Sequence, residues 1–530
     1  MNKLFYGDNL DILRNYIKDE SVDLVYLDPP FNSNANYNVL FSQQNGSQSS
    51  AQIQAFEDTW HWDEEAARTY EMTVERGGSV AEALRAFRGL LGDSNMLAYL
   101  VMMAPRLVEL YRVLRQTGTL YLHCDQTASH YLKILLDSIF EVKNFRNEII
   151  WVRSNPKSHI SINFSNCTDT ILRYTKSDTF FFDIPYGEHD PEYIKKAYRY
   201  EDENGKYRLL PLLNPNKDRP NLTYEFLGVK RVWRWTKERM EKAYKEGIVV
   251  QLKPGAVPQY KKYLQDSKGR TVTNCWTDIN QAAGNESLGY PTQKPEELLE
   301  RIIEASSEEG DTILDPFCGC GTAIAAAQKL HREWIGIDIT HLAISLIKRR
   351  IADQFGEELI YEIYGEPTTL EGAQELADMD KFQFEWWALG LVGARPADPK
   401  KGSDKGIDGR LYFHDDETGN TKQVIISVKG GNTGVSHIRD LVGVLDRENA
   451  QIGVLISLQE PTKPMRTEAA SAGFYNSPWG KHPKVQILTI EELFNSAQID
   501  MPPIRQVNQT YRRAPRHKGN EGHQSNWLEK

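Results

Sequence analysis

Apolar and polar positions alternate along this chain with two different periods. Val22–Leu27 is a short apolar run that ends at Asp28-Pro29-Pro30, which predicts a buried strand closing in a turn. From Met96 to Leu114 the apolar residues return at helical spacing. Gly118 then leads into a predicted strand, Thr119–His123, and Tyr131–Phe140 again has a helical pattern. The alternation resumes with helix Pro295–Ala305, strand Thr312–Leu314, helix Thr322–Leu330 and strand Trp334–Ile337. Such alternation predicts an α/β fold with a mostly parallel sheet and helices on its faces.

Three stretches break the rhythm. Residues 42–95 open with a Gln/Ser/Asn/Gly-rich segment and carry Trp60-His61-Trp62, which reads as an excursion from the sheet. Residues 155–290 are rich in Pro, Asn, Tyr, Lys and Arg. A second, smaller α/β unit spans 378–500. Beyond it lies a polar tail, 501–530, with Arg512, Arg513, Arg516 and Lys518, expected to be disordered. The expected organisation is therefore one discontinuous domain, 1–154 with 291–377, an insert at 155–290, and the unit at 378–500.

Composition adds limits. A chain of 530 residues exceeds one compact core. It has no run of eighteen apolar residues, so no membrane span is expected, and Met1-Asn2-Lys3 does not open an apolar signal core. The five cysteines form no paired pattern, which fits a reducing cytoplasm. A net charge of −10 gives no overall attraction to nucleic acid, so any such binding must use local basic patches.

Two segments carry candidate chemistry. Asp315-Pro316-Phe317-Cys318-Gly319-Cys320-Gly321 lies between a strand and an Ala-rich helix that begins at Thr322. Glycine there lets a ligand approach the backbone, and the next strand ends in Asp338, where dinucleotide folds place a ribose-binding carboxylate. The segment lacks the Gly-Lys-Ser/Thr of a phosphate loop, and Cys318 and Cys320 lack the usual zinc spacing, so no metal is expected here. In Asp28-Pro29-Pro30-Phe31, the Asp28 carboxylate and the Pro29 carbonyl could accept both hydrogens of an amino group on a planar base. Pro30 stiffens the turn and Phe31 offers a stacking face.

On these residues, 1–370 resembles the amino-group DNA methyltransferases that use S-adenosylmethionine. Because the catalytic segment precedes the cofactor segment, the order matches the permuted class called beta. The resemblance implies a Rossmann-like sheet, a flipped adenine or cytosine in double-stranded DNA as substrate, and a target-recognition region at 155–290. It assigns Asp28, Pro29, Pro30 and Phe31 to catalysis. Asp315, Phe317, Gly319, Gly321, Thr322, Asp338 and Lys294 (in Pro291-Thr292-Gln293-Lys294-Pro295) are assigned to the cofactor. Asp8, in Tyr6-Gly7-Asp8-Asn9, and Asn32 fall near the base pocket.

In the insert, Lys230, Arg231, Arg234, Lys237 and Arg239 interleave with Trp233 and Trp235, as phosphate and base contacts require. Lys253, Lys261 and Lys262 lie near Tyr260 and Tyr263 in the same way. Asp at the head of the catalytic tetrapeptide is the family tendency for adenine N6, and cytosine N4 stays open. Carbon-5 chemistry would need a Pro-Cys nucleophile segment, and the chain has none. A protein-glutamine methyltransferase would place the cofactor segment first.

The unit at 378–500 resembles the Mrr-like branch of the PD-(D/E)xK restriction endonucleases. The resemblance rests on Phe384-Glu385-Trp386-Trp387, Gly406-Ile407-Asp408-Gly409, and a strand Val424–Val428 ending in Lys429. It implies Mg²⁺ at Asp408, with Lys429 and Glu385 as further nuclease residues. Ser427 stands where that family has Glu, Asp or Gln, and a hydroxyl is a weaker Mg²⁺ ligand. A DNA-cleaving protein whose N-terminal half only recognises DNA is the alternative function, and a homodimer or a separate restriction subunit are the expected partners.

Overall fold

A computed structural model describes residues 1–29, 61–154, 164–284, 286–288, 290, 292–397, 406–414, 421–502 and 514–515. The chain forms two compact units, 1–183 with 274–530, and 184–273. No described helix is long and apolar enough to cross a membrane.

The first unit is built on a nine-stranded sheet. Its strands are β1 (Lys3–Tyr6), β2 (Val22–Leu27), β3 (Leu114–Cys124), β4 (Phe145–Val152), β5 (Thr168–Thr175), β6 (Cys275–Trp276), β7 (Thr312–Asp315), β8 (Glu333–Asp338) and β9 (Glu362–Tyr364). Their order across the sheet is β6-β4-β5-β3-β2-β7-β8-β1-β9. Every neighbouring pair is parallel except those made by β5, which runs against β3 and β4. The expected α/β sheet is present. It also takes β5 and β6 from inside the 155–290 span, because their buried apolar residues complete the sheet edge. Tyr174 and Leu172 are core residues, and Trp276 is buried.

β2 is apolar on both faces because it lies mid-sheet, under helices on either side. Helix α1 (Asn9–Tyr16) follows β1. The excursion after β2 contains α2 (Glu64–Glu75), α3 (Gly78–Leu91) and α4 (Asn95–Val113), which returns the chain to β3, and α5 (Ser129–Phe140) follows β3. Leu97, Leu100, Met103, Leu107 and Leu110 of α4 enter the same core cluster as Leu27 and Leu122. On the other side, α6 (Glu296–Ser306) precedes β7, α7 (Thr322–Lys329) joins β7 to β8, and α8 (His341–Phe355) follows β8. Connections from β2 and β7 therefore lead in opposite directions. Their carboxyl ends flank the switch point, the place where open α/β sheets bind ligands.

Helices α9 (Leu370–Met379) and α10 (Lys381–Leu391) lead into a five-stranded sheet with the order β10 (Arg395–Pro396), β11 (Gly409–Phe413), β12 (Lys422–Lys429), β13 (Ile452–Ser457), β14 (Val485–Thr489). Phe384 and Trp387 pack with Val424, Ile426 and Val428 on one face. Leu441 and Leu445 of α11 (Val435–Glu448) and Met465 of α12 (Lys463–Ser471) pack with Ile425 and Leu455 on the other. The unit at 184–273 has its own small core of Leu212, Phe226, Val229, Trp233, Met240, Ala243 and Val249.

Candidate active site

Asp28 and Asp315 end neighbouring central strands, with Ile313 and Leu314 in register with Leu24 and Val25. The two segments, almost three hundred residues apart, thus meet at one edge of the sheet. Lys294 forms an ion pair with Asp28 Oδ2. Asp28 Oδ1 is buried and has no hydrogen-bond partner among the described residues. Pro29 is buried beside it, while Pro30, Phe31 and Asn32 lie outside the described residues. Lys294, expected on the cofactor, lies just before α6 and places its ammonium on Asp28 at the catalytic turn.

The glycine loop is held from both sides. Asp315 Oδ1 accepts from the Phe317 N–H at 3.1 Å. The Gly319 N–H donates to Asp338 Oδ2 at 2.9 Å, and Thr340 donates both its N–H and its hydroxyl to Oδ1. Gly321 begins α7 with φ +75°, and a Cβ there would stand 2.8 Å from Ile347 Cγ1 of α8. Only glycine meets both conditions. Phe317 is half-buried against the core.

Burial pushes Asp315 well above the ordinary carboxylate range. The Phe317 N–H opposes the shift, and the nearby Asp28 and Asp338 carboxylates reinforce it. Burial likewise pushes Asp338 up to about 6, against the hydrogen bonds from Thr340 and Gly319. Acidic side chains at three neighbouring strand ends, with the Lys294 ammonium on Asp28 alone, make a site that favours a cationic ligand. A cofactor with a sulfonium, an ammonium and a ribose meets that electrostatic demand, and at Gly319 the loop backbone carries no side chain, with the Tyr290 ring packed over it. Cys318 and Cys320 are free and buried, with thiols pushed up by that burial, and no group of three metal-ligating side chains occurs among the described residues.

Asn9, Arg106 and Arg350, to which the sequence reading gave no role, position the loop. Asn9 donates to the Pro316 carbonyl at 2.8 Å and accepts from Arg106 Nε at 2.6 Å. Arg106 also pairs with Asp8 Oδ2 at 2.6 Å, while Asp8 Oδ1 caps α1 through the Leu10 N–H. Both Asp8 oxygens are thus engaged, one capping α1 and one on Arg106, while Asn9 reaches the loop itself. Buried Arg350 donates to the Cys320 carbonyl and to the Thr322 hydroxyl, and pairs with Glu296 at 3.0 Å. The Thr322 hydroxyl, expected on the cofactor, accepts from Arg350. Arg106 interrupts an apolar helical stripe, which was a usable hint; Arg350 carries none.

In the 184–273 unit, Arg231 and Arg234 are exposed and Trp235 is half-buried. Arg239 stacks on Trp235 at 4.4 Å. Trp233 is fully buried, its indole N–H donating to the Tyr224 carbonyl at 2.9 Å, so it belongs to the core and not to a nucleic-acid surface. Lys261 is paired with Asp202 at 2.7 Å.

The expected Mg²⁺ site does not fit. Asp408 Oδ2 accepts from the Ser427 hydroxyl at 3.0 Å, the Val428 N–H at 2.6 Å and the Lys429 ammonium at 3.2 Å. Glu385 lies 3.9 Å from Lys381 of its own helix. One carboxylate with an oxygen already holding three donors is a poor start for a cation that takes about six oxygen ligands.

These features are those of an open α/β sheet with a glycine loop and acidic strand ends at its switch point. The chain belongs to the N6/N4 DNA methylase family, whose model, described as DNA methylase, matches residues 22–349. Residues 382–495 match the model described as NACHT-associated inactive Restriction Endonuclease 1. The Type II methyltransferase M.EcaI of Enterobacter cloacae is 33% identical over 261 residues, covering 48% of this chain and 58% of that protein. The Type III restriction-modification enzyme StyLTI Mod subunit of Salmonella typhimurium is 27% identical over 397 residues, covering 70% of this chain and 57% of that protein. The chain thus spans less than two thirds of these relatives. Among solved structures, a putative DNA modification methylase from Thermus thermophilus, complexed with S-adenosyl-L-methionine, is 17% identical with a TM-score of 0.33. That match covers 70% of this chain and 100% of that one.

Proposed function

We propose that this protein methylates the N6 amino group of an adenine flipped out of double-stranded DNA, using S-adenosylmethionine, as the modification component of a restriction–modification system. The observation that carries the reading is Asp28, held at Oδ2 by Lys294 with Oδ1 buried and unpartnered among the described residues. An exocyclic amino nitrogen is a weak nucleophile because its lone pair is delocalised into the ring. Two acceptors on its two hydrogens favour the tetrahedral form and free the pair. Asp28 Oδ1 and the Pro29 carbonyl are the acceptors at this turn. In this reading Phe31 stacks on the base, and Asn32 and Asp8 border the pocket.

When bound, S-adenosylmethionine supplies a methyl group on a sulfonium. Asp338 accepts from ribose hydroxyls, the Asp315–Gly321 loop seats the nucleoside, and the carboxylates favour the cationic end. As the amino nitrogen gains the methyl it loses one proton, which Asp28 Oδ1 receives and returns to solvent. Asp at the head of the tetrapeptide favours adenine over cytosine. We assign target recognition to 184–273, with exposed Arg231 and Arg234 on phosphates, and read 382–495 as a nuclease-derived frame that does not cut. A restriction subunit is the expected partner, by likeness to the Mod relative.

The test is methyl transfer to DNA followed by digestion to nucleosides. N6-methyladenine is expected from the wild type, and none from Asp28→Ala at unchanged cofactor affinity. N4-methylcytosine as product overturns the adenine assignment, and loss of cofactor binding in the variant overturns the role of Asp28.

A further inference from the structure

A chain of buried polar side chains lies behind the Asp28 turn, outside the machinery above. Tyr26, two residues before Asp28 on β2, places its hydroxyl 3.0 Å from His123 Nδ1 at the end of β3. His123 Nε2 lies 3.3 Å from Asp169 Oδ2 on β5, and Arg153 Nε pairs with Asp169 Oδ1 at 3.1 Å. His123 is 0% exposed, with the Tyr26 and Trp151 rings standing edge-on to it.

The chemistry of the partners orients the ring. An ionised carboxylate can only accept, so Nε2 carries the hydrogen toward Asp169, and Nδ1 faces the Tyr26 hydroxyl. Burial pushes that phenol well above its ordinary range, with Asp28, Asp315 and Asp169 adding, so it stays a donor. Burial alone would raise Asp169, but His123, Lys294 and Arg153 hold it below the usual carboxylate range. Antiparallel β5 is what brings this carboxylate to the edge where β2 and β3 end.

We propose that the Tyr26–His123–Asp169 chain is a positioning device for methyl transfer, holding a second carboxylate beside the Asp28–Lys294 pair and anchoring the strand end that carries Asp28. This rests on the proposed methyl transfer. The charged and titratable groups around the pair and Asp169 include Tyr26 on β2, His123 and Cys124 on β3, Asp125 just after it, Arg153 just after β4, Asp315 on β7, and Tyr290. Removing one negative charge makes neighbouring groups harder to protonate, so a loss of Asp169 moves both limbs of a pH–rate profile downward.

The experiment measures single-turnover methylation of unmethylated genomic DNA by the full chain from pH 5 to 10, with thermal unfolding and cofactor affinity as controls. Asp169→Asn is expected to slow transfer by about tenfold or more, the usual scale for an outer positioning partner, to shift both limbs to lower pH, and to leave cofactor affinity unchanged. His123→Gln can still accept from Tyr26 and donate to Asp169 and is expected to keep most of the rate, whereas His123→Leu loses it. An unmoved pH profile in Asp169→Asn, or equal losses in the two His123 variants, overturns the inference while wild-type transfer upholds the functional reading. A wild type that transfers no methyl overturns both.

Discussion

On the proposed function, Asp338 makes cofactor binding depend on pH. The residue is 6% exposed, and burial lifts its carboxylate from the ordinary 3.8 to about 6. A rise of about two pH units corresponds to about 3 kcal/mol against ionisation in the folded, cofactor-free protein. The folded chain therefore holds this proton more tightly than the unfolded chain does. The contribution of Asp338 to stability is present below about pH 4 and is lost as pH rises through about 6. Cofactor affinity runs the other way, because ribose hydroxyls donate best to the ionised form. With the carboxylate about one-tenth ionised at pH 5 and about nine-tenths at pH 7, binding is expected to be roughly tenfold tighter at pH 7. Calorimetric titration with S-adenosylmethionine between pH 5 and 8 measures this. Asp338→Asn should bind more weakly and lose the dependence, which separates Asp338 from Asp315. Equal wild-type affinity at pH 5 and 7, or an unchanged slope in Asp338→Asn, refutes the assignment.

Gly321→Ala combines a left-handed backbone with a methyl 2.8 Å from Ile347 Cγ1. A stability loss of about 2–5 kcal/mol is expected in chemical denaturation, with weaker cofactor binding. Trp233→Ala should destabilise the 184–273 unit by about 3–5 kcal/mol, visible as early proteolysis within it. By contrast, Arg231→Ala with Arg234→Ala should leave folding intact, weaken DNA binding and flatten its salt dependence by about two phosphate contacts, read by fluorescence anisotropy at several salt concentrations. Plasmid incubated with Mg²⁺ should remain uncut by the wild type and by Lys429→Ala alike. Cleavage that disappears in Lys429→Ala would contradict the account of Asp408.

Much of this enzyme is written locally. The apolar run ending at Asp28 and the glycine loop ending at Gly321 are each legible because strand burial, proline stiffness and positive φ leave short-range marks. The order of the two segments identifies the permuted sheet, and Ser427 already signals a weakened metal site. What the sequence left open depends on residues far apart in the chain. Lys294 reads as a cofactor residue, and only the folded chain shows its ammonium on Asp28. Trp233 reads as a DNA contact until the small unit closes around it, since an aromatic among cations has the same local pattern in a core and on a surface. β5 is hidden within a polar region, yet it is the strand that carries Asp169 to His123. Local preference determined the strands, turns and the chemistry at their ends. Only tertiary packing decided which charge meets which, because ion pairs and buried hydrogen bonds are set by strand order across the sheet, and strand order leaves no period in the sequence.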